Sequence, residues 1–424
     1  MLLGFVPGLL DPFTPAKAAL VRVVGIGALV ALGPAAFARR TWPRRTCDRA
    51  VVAWVAVTLV SAALAVSPRL AWFGEIGSRE GVLTTLGLAG LYAVARRAGS
   101  APDHEAHRVS LLIACATAAS IYALLQRAGA DPLTWAAPAA YRVAGASVLR
   151  PWGPLGNPIL LGIVAACGLA AAIARLARPA SDPWRLAPIA AVNGAACAAT
   201  LSRGAWLAAM VGTLVACIAA ARVRPIPRAR LIGIVSLFSV VVAWTLIVQR
   251  IATAARVAEG LAPGTSLDVR GAIASAALSA WRSRPVWGVG PDGFALAFPR
   301  WRGTAYWRGV WLENPVHAHA VPLQVLATLG IAGVLAGAAI VASALFAARA
   351  RWRRRDDQLP PTLAVLATLA AASLTNVVGI AGAVIAATFG AALVGGDEPP
   401  RAPRVRGLAV AAGVLTAGVL AFAT

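Results

Sequence analysis

Long runs of apolar residues, separated mostly by short polar connectors, make up most of this 424-residue chain. A helix needs about 20 predominantly apolar residues to cross a bilayer, so each long run predicts a transmembrane helix. The runs are continuous and do not alternate residue by residue, which excludes a membrane β-barrel. We therefore predict an all-α polytopic membrane protein with one integral-membrane domain over residues 1–424. About twelve spans are predicted, at 17–38, 50–66, 80–97, 107–127, 156–176, 184–200, 203–222, 230–250, 320–346, 361–377, 378–395 and 405–423.

Composition supports this class. The chain is 59% hydrophobic and 13% charged, whereas a soluble domain is about 25% charged. The five cysteines lack ligand spacing and indicate neither a disulfide framework nor a metal site. The apolar segment Met1–Leu10 is too short to span a bilayer and lacks a basic n-region, so it does not predict a signal peptide. Whether it completes a further helix stays open.

The net charge of +23 comes almost entirely from arginine. Every second connector is short and rich in arginine, a pattern that places these connectors in the cytoplasm. Most of the arginine thus reflects topology, and nucleic acid is not a predicted partner. The alternate connectors then face outward. The longest of them, 251–319, is predicted to be a partly helical periplasmic loop with a helix over Asp268–Trp281.

Several arginines remain in the outward loops, including Arg79, Arg203 and Arg270. The positive-inside rule disfavours arginine in short outer loops, so anion binding is a natural reason for their presence. Two plainer interpretations stay open. Arg270 would pair with an acid in the first turn of its helix, and Arg203 would extend towards the aqueous boundary.

Two of the four histidines, His317 and His319, lie just before the span 320–346. They predict a metal site only with a third ligand such as Glu313 or Asp292, and no standard spacing supports one. A neutral imidazole that accepts a proton from a hydroxyl nucleophile is the sharper hypothesis. Basic surroundings would lower its pKa and favour the neutral form. An interfacial histidine without a role is the plain alternative.

The glycine-rich segment Gly288-Val-Gly-Pro-Asp-Gly-Phe294 lacks the Gly-Lys-Ser/Thr ending of a phosphate-binding loop. It predicts a turn that lets two backbone segments approach closely.

Together these segments resemble the motifs of the O-antigen ligase and polymerase family of integral-membrane glycosyltransferases, in family order along nearly the whole chain. The resemblance also implies a GT-C-like helical architecture. The segments are Asp11-Pro-Phe-Thr-Pro-Ala-Lys17, Phe73-Gly-Glu-Ile-Gly-Ser-Arg-Glu-Gly81, Tyr122-Ala-Leu-Leu-Gln126, Gly153-Pro-Leu-Gly-Asn157, Ser202-Arg-Gly-Ala-Trp206, Gly288–Phe294, and His319-Ala-Val-Pro-Leu-Gln324 followed by Gly330 and Gly333.

The resemblance implies a role for individual residues. His319 has the family's spacing to Gly330 and Gly333, so it takes the role of the catalytic base. Ala320 replaces the polar residue that follows the histidine in the family pattern.

The resemblance further implies that Arg203, Arg270 and, more weakly, Arg79 bind the diphosphate of the donor. Supporting positions are His317, Asn157 and Gln324.

The implied reaction moves a glycan from an undecaprenyl-diphosphate donor to an acceptor hydroxyl such as that of lipid A-core. It takes place at the periplasmic face of the bacterial inner membrane, among membrane lipids, and needs no cofactor or metal. Polymerases and protein O-oligosaccharyltransferases are alternatives that differ in acceptor. A small-anion transporter of the bicarbonate-like type is an alternative from another class, for which Asn193 and Asn376 are the polar candidates within or beside helices.

Overall fold

The computed structural model describes residues 1–6, 11–38, 46–98, 102–133, 140–143, 146–248, 254, 266–309 and 314–395. Helices dominate these ranges. In chain order they are α1 (Thr14–Ala38), α2 (Thr46–Ala63), α3 (Pro68–Phe73), α4 (Val82–Arg97), α5 (Pro102–Arg127), α6 (Pro158–Leu176), α7 (Pro183–Ala199), α8 (Arg203–Val223), α9 (Arg228–Val248), α10 (Ser266–Ser283), α11 (Phe294–Trp301), α12 (Thr304–Gly309), α13 (Val321–Arg353), α14 (Leu359–Thr375) and α15 (Gly379–Val394). A helix occupies every predicted span up to 378–395. The last predicted span, 405–423, lies outside the described residues.

Seven helices in the described part of the chain are long and apolar enough to cross a membrane, and α14 and α15 are shorter apolar helices. The seven are α1, α2, α5, α6, α8, α9 and α13. The predicted class of an all-helical polytopic membrane protein is therefore confirmed. A small antiparallel hairpin of β1 (Ala140–Val143) and β2 (Ala146–Leu149) was not predicted. Strands of four residues are too short to produce a clear alternating pattern.

Helix α6 forms the centre of one half of the bundle. Of its apolar span, 83% is buried, and α5, α7, α8 and α14 pack around it. Small residues allow this close approach, as is usual between membrane helices. Gly168, for example, faces Ala116 of α5 and Asn193 of α7 with no room for a side chain. In the other half, α1 packs on α4, α2 on α13, and α4 on α15.

Loops that carry the sequence motifs, including those with Asp11, Ser78, Asn157 and His319, gather around one cavity at one end of the bundle, here called the site end. Those basic connectors that fall within the described residues contact one another at the opposite end. There Arg351 of α13 lies 3.0 Å from Glu105 of α5, and Arg224 lies 2.7 Å from Asp357. This shared location is what the alternation of basic connectors along the chain predicts.

Helix α13 is broken at Gly330, where φ is 65°. Segment 285–290 lies against the break. Its carbonyl groups accept hydrogen bonds from α13, and its N–H groups donate hydrogen bonds to α13, in place of those that the break removes from the helix. Ile331 N–H donates to Pro285 O at 2.9 Å, and Gly290 N–H donates to Thr328 O at 3.0 Å. A side chain at Gly288 would overlap the backbone of Thr328. The close approach of two backbones predicted for this glycine-rich segment is thus what the structure shows, and it satisfies the broken helix.

Candidate functional site

A cavity of about 510 Å³ lies at the site end between the loops and the helix starts. We call it the polar cavity because its wall carries carboxylate, amide, hydroxyl and imidazole groups. Both histidines of the motif line it, so the structure brings His317 and His319 together around one space. The polar side chains in its wall are Asp11, Thr14, Ser78, Glu80, Asn157, Tyr306, Asn314, His317, His319 and Asn376.

The segment that carries the two histidines is irregular and ends where α13 begins. His319 has φ of 56°, a left-handed conformation that is uncommon for a residue other than glycine. Gln324, in the first turn of α13, holds the segment: its Oε1 accepts a hydrogen bond from the backbone N–H of Ala318 at 2.8 Å. This support position, predicted by resemblance, therefore contacts the peptide between the two histidines.

The environment favours the neutral form of His319. Burial, followed by the positive charge of Arg270 and the neighbouring His317, lowers the pKa of His319 to about 4. Its imidazole is therefore unprotonated at neutral pH, as a proton acceptor must be. Nδ1 of His317 is buried and has no hydrogen-bond partner among the described residues.

The three predicted arginines are not among the residues that line the polar cavity. Arg270 lies on α10, between Val269 and Ile273, which both line the cavity, and it is close enough to His319 to lower its pKa. Arg203 is the first residue of α8. A side chain at the adjacent Gly204 would overlap the carboxamide of Asn376.

Arg79 has φ of 57°, and its neighbours Ser78 and Glu80 line the cavity. Its buried Nε has no hydrogen-bond partner within the described ranges.

Asp292 joins the glycine-rich segment to the loop that carries Arg79. Its Oδ2 accepts hydrogen bonds from the backbone N–H of Glu75 at 2.7 Å and of Glu80 at 3.0 Å, and also from the hydroxyl of Ser78. Sequence reasoning weighed Asp292 only as a metal ligand. The structure gives it a positioning role, and no group of three or more metal-ligating side chains occurs among the described residues.

Asn157 performs two tasks at the polar cavity. Its side chain caps α6 by accepting from Ile159 N–H at 2.8 Å, and it lines the cavity. The preceding turn is fixed from two sides. Gln126 Oε1 accepts from Gly153 N–H at 2.8 Å, and the buried Lys17 donates to Pro154 O at 2.7 Å. Motif segments that are far apart in sequence thus contact one another.

Most of the backbone strain in the described residues lies at this end of the bundle. Arg79, Leu201, Asp292 and His319 have positive φ without being glycine, and the fifth such residue, Arg355, lies at the opposite end. Each such residue costs about 1–3 kcal/mol and persists where the surroundings enforce it, often at functional sites. Leu201 lies two residues before Arg203, so the strained positions adjoin or include three of the predicted site residues.

A second space, the apolar groove, adjoins the polar cavity. It has a volume of about 380 Å³ and is walled by α2, α4, α13 and α15. It extends from Glu80 at the site end to Cys47 and Val394 at the opposite end. The groove and the cavity share four wall residues, which we call the junction: Glu80, Val377, Gly379 and Ile380.

Sequence reasoning did not single out Glu80 as a site residue, although it follows Arg79 directly. Burial raises the pKa of its carboxyl, and Asp292 raises it further, while His317 acts in the opposite direction. Asn376 was noted only as a polar group beside a helix. A polar residue at the edge of an apolar run is the sequence signal that points to both.

The fold and the site define a class: a multi-pass membrane protein with a histidine-containing polar cavity beside an apolar groove. Residues 188–338 match the family model described as O-antigen ligase, with the name Wzy_C. The resemblance to the O-antigen ligase and polymerase family is thus confirmed over a segment that includes Arg203, Arg270, His319 and Gln324. Arg79 and Asn157 lie outside it. No curated protein matches the chain significantly.

Proposed function

We propose that the protein is an O-antigen ligase-type glycosyltransferase that moves a glycan from undecaprenyl diphosphate to an acceptor hydroxyl such as that of lipid A-core. One observation carries the proposal. The family-matched segment places a neutral imidazole, His319, in a polar cavity that adjoins an apolar groove as long as the bundle. A lipid-linked sugar needs both kinds of space within reach of a base.

In this reaction the sugars occupy the polar cavity and the polyprenyl tail lies in the apolar groove. His319 takes the proton of the acceptor hydroxyl, and the hydroxyl oxygen bonds to the anomeric carbon. The bond from that carbon to the diphosphate oxygen breaks, and undecaprenyl diphosphate leaves with the electron pair. Gln324 keeps His319 in position, and His317 and Asn157 complete the wall.

The charge that develops on the departing diphosphate needs a cationic field. Arg270 is close enough to His319 to lower its pKa, so its charge also acts near the bond that breaks. Arg203 and Arg79 extend this positive field. Arg203 precedes Gly204, which contacts Asn376, and Arg79 lies between two wall residues, Ser78 and Glu80. None needs to contact the sugar to act in this way.

The orientation follows from the arginines at the other end. Basic connectors stay in the cytoplasm, so the site end faces the periplasm of a bacterial inner membrane. This is the side on which lipid-linked glycans would meet lipid A-core.

Polymerase and protein O-oligosaccharyltransferase activities use the same donor chemistry and differ in acceptor. A small-anion transporter has less support. Asn193, one of its two polar candidates, is fully buried between helices, where Nδ2 donates to Thr117 Oγ1 at 2.8 Å and Oδ1 accepts from Ser120 at 3.1 Å. These contacts make it a link between α5 and α7, since interhelical hydrogen bonds stabilise membrane bundles.

The test uses purified protein in detergent with a lipid-linked glycan and lipid A-core. We expect transfer of the glycan with and without EDTA. Parallel assays with a growing glycan or a pilin-type protein as acceptor distinguish the alternatives. If no acceptor receives glycan, while proteoliposomes take up bicarbonate without any glycan donor, the transporter is correct and the proposal is wrong.

A further inference from the structure

The junction between the groove and the cavity is where the diphosphate of a lipid-linked sugar would have to bind. If the tail lies in the groove and the sugar in the cavity, the diphosphate that links them must lie where the two spaces share wall residues. That place is formed by Glu80 and by a second group of wall residues, Val377, Gly379 and Ile380. The second group is the beginning of α15.

The beginning of α15 presents uncapped backbone donors. The first N–H groups of a helix have no partner within it and carry a partial positive charge. Asp11 accepts from Phe13 and Thr14 N–H at the start of α1, and Asn157 accepts from Ile159 N–H at the start of α6. At α15 the capping position is Val378, and no side chain caps the helix.

Asn376, directly before this turn, is an independent sign of a ligand. It is 2% exposed and lines the polar cavity, yet its Oδ1 has no hydrogen-bond partner among the described residues. Its Nδ2 donates to Thr375 Oγ1 at 3.1 Å. Because the oxygen and nitrogen of an amide exchange places by a flip, either end can meet a ligand. A buried polar atom without a partner costs about 1–3 kcal/mol, which a ligand would recover.

We propose that the N-terminus of α15, together with Asn376, binds the diphosphate of the lipid-linked donor, an inference that rests on the proposed function. Phosphate groups bind readily at helix N-termini, where N–H groups and the helix dipole act together. Burial raises the pKa of the Glu80 carboxyl at the junction, although His317 acts in the opposite direction, so the tendency of this carboxyl to carry a repelling negative charge is reduced. The predicted arginines then strengthen a site whose direct contacts are backbone and amide groups.

The test measures binding of undecaprenyl diphosphate, with undecaprenol as the tail-only control. Val378→Asp places a carboxylate at the capping position, where it accepts the free N–H groups and repels a second anion. Val378→Asn makes a nearly identical change without charge. We expect Val378→Asp to weaken undecaprenyl diphosphate binding by about tenfold or more, the scale of a 1.4 kcal/mol interaction. Undecaprenol binding should stay within about twofold. Val378→Asn can cap the same N–H groups without adding a charge, so it should weaken undecaprenyl diphosphate binding less than Val378→Asp does.

Asn376→Asp introduces a negative charge at a second position of the proposed site. Asn376→Ala removes the amide group without adding a charge. We expect the aspartate to weaken diphosphate binding more than the alanine does, with undecaprenol binding unchanged. Thermal melting identifies any variant that fails to fold. If the variants at one of the two positions do not fold, the variants at the other position provide the test. The inference is overturned if folded Val378→Asp and Asn376→Asp proteins bind undecaprenyl diphosphate as tightly as wild type. It is also overturned if phosphatidylglycerol competes as well as undecaprenyl diphosphate does.

Different results would overturn the proposed diphosphate site and the proposed function. If wild-type protein transfers glycan but these variants bind the lipid diphosphate normally, the inference is wrong and the proposed function stands. If wild-type protein binds the lipid diphosphate but transfers no glycan to any acceptor, the proposed function is wrong.

Discussion

Gln324 and Ala318 are joined by a hydrogen bond of 2.8 Å from the Ala318 backbone N–H to the Gln324 side-chain oxygen. Both residues are buried, with Ala318 3% exposed. The bond fixes the peptide between His317 and His319 against the first turn of α13. The position of the proposed base is therefore set by a residue five positions further along the chain.

Gln324→Leu keeps the volume but leaves the Ala318 N–H without an acceptor. A buried unpaired donor costs about 1–3 kcal/mol, so the melting temperature should fall. Because His319 loses its support, kcat should fall by about tenfold, since small misplacements of reacting groups cost rate, while KM for the lipid-linked donor should change little. Gln324→Glu keeps an acceptor oxygen and should restore part of kcat. Unchanged kcat in a folded Gln324→Leu protein would remove the positioning role.

The pH dependence of transfer should show the low pKa of His319. Burial, Arg270 and His317 lower this pKa to about 4, so the neutral base persists from high pH down to about 4. An ordinary histidine is half protonated near pH 6.5. We expect the acid limb of kcat/KM to lie near pH 4.

Removing the positive charge of Arg270 tests the cause of this shift. In Arg270→Gln the pKa of His319 should rise, and the acid limb should move towards neutral pH. Arg282→Gln, on an exposed position of the same helix, is the matched control and should leave the limb in place. An acid limb near 6.5 in wild type would contradict the burial of the base.

The break in α13 depends on Gly330. Its φ of 65° is unfavourable for other residues, and a side chain there would overlap the backbone of Val286. Gly330→Ala should destabilise the fold by about 1–3 kcal/mol through left-handed strain and overpacking. Gly233→Ala in α9, where nothing lies within 4 Å of an added Cβ, should be neutral or slightly stabilising. Thermal melting in one detergent compares the two, and equal melting temperatures would argue against a strained break.

The periodic part of the fold was predictable from sequence, but the assembly of the site was not. The apolar runs located the helices because each run must bury its backbone polar groups internally. The helix over Asp268–Trp281 also appears, as α10 (Ser266–Ser283). The spacing of His319 to Gly330 and Gly333 pointed to the segment that lines the polar cavity.

What sequence reasoning missed depends on contacts between distant segments. Asp292 and Glu75 are far apart in the chain, and no local pattern reports the bond between them. The arginines Arg79, Arg203 and Arg270 were predicted to bind the donor diphosphate, and that stays a prediction, since they are not among the residues that line the polar cavity. The uncapped start of α15 is equally invisible, since a missing cap leaves no sequence signal.

The opposite end of the bundle should affect stability and not the reaction. Arg351 and Glu105 are 6% and 1% exposed and lie 3.0 Å apart, and Thr362 also donates to Glu105. Removing one partner of a buried ion pair costs about 3–5 kcal/mol. Glu105→Ala should therefore lower the melting temperature while the folded fraction keeps wild-type kcat. A specific loss of kcat in folded protein would connect this end to the reaction.

The most direct test of the central claim is the transfer rate of His319→Ala beside that of His317→Ala. Purified proteins receive the same lipid-linked glycan and lipid A-core at neutral pH. General base catalysis contributes about 10²–10⁴-fold to such a step, so His319→Ala should lose transfer by that factor while still binding undecaprenyl diphosphate. His317→Ala should keep a rate within about tenfold of wild type, because removing a neighbour does not remove the base. Wild-type transfer by His319→Ala would contradict the account.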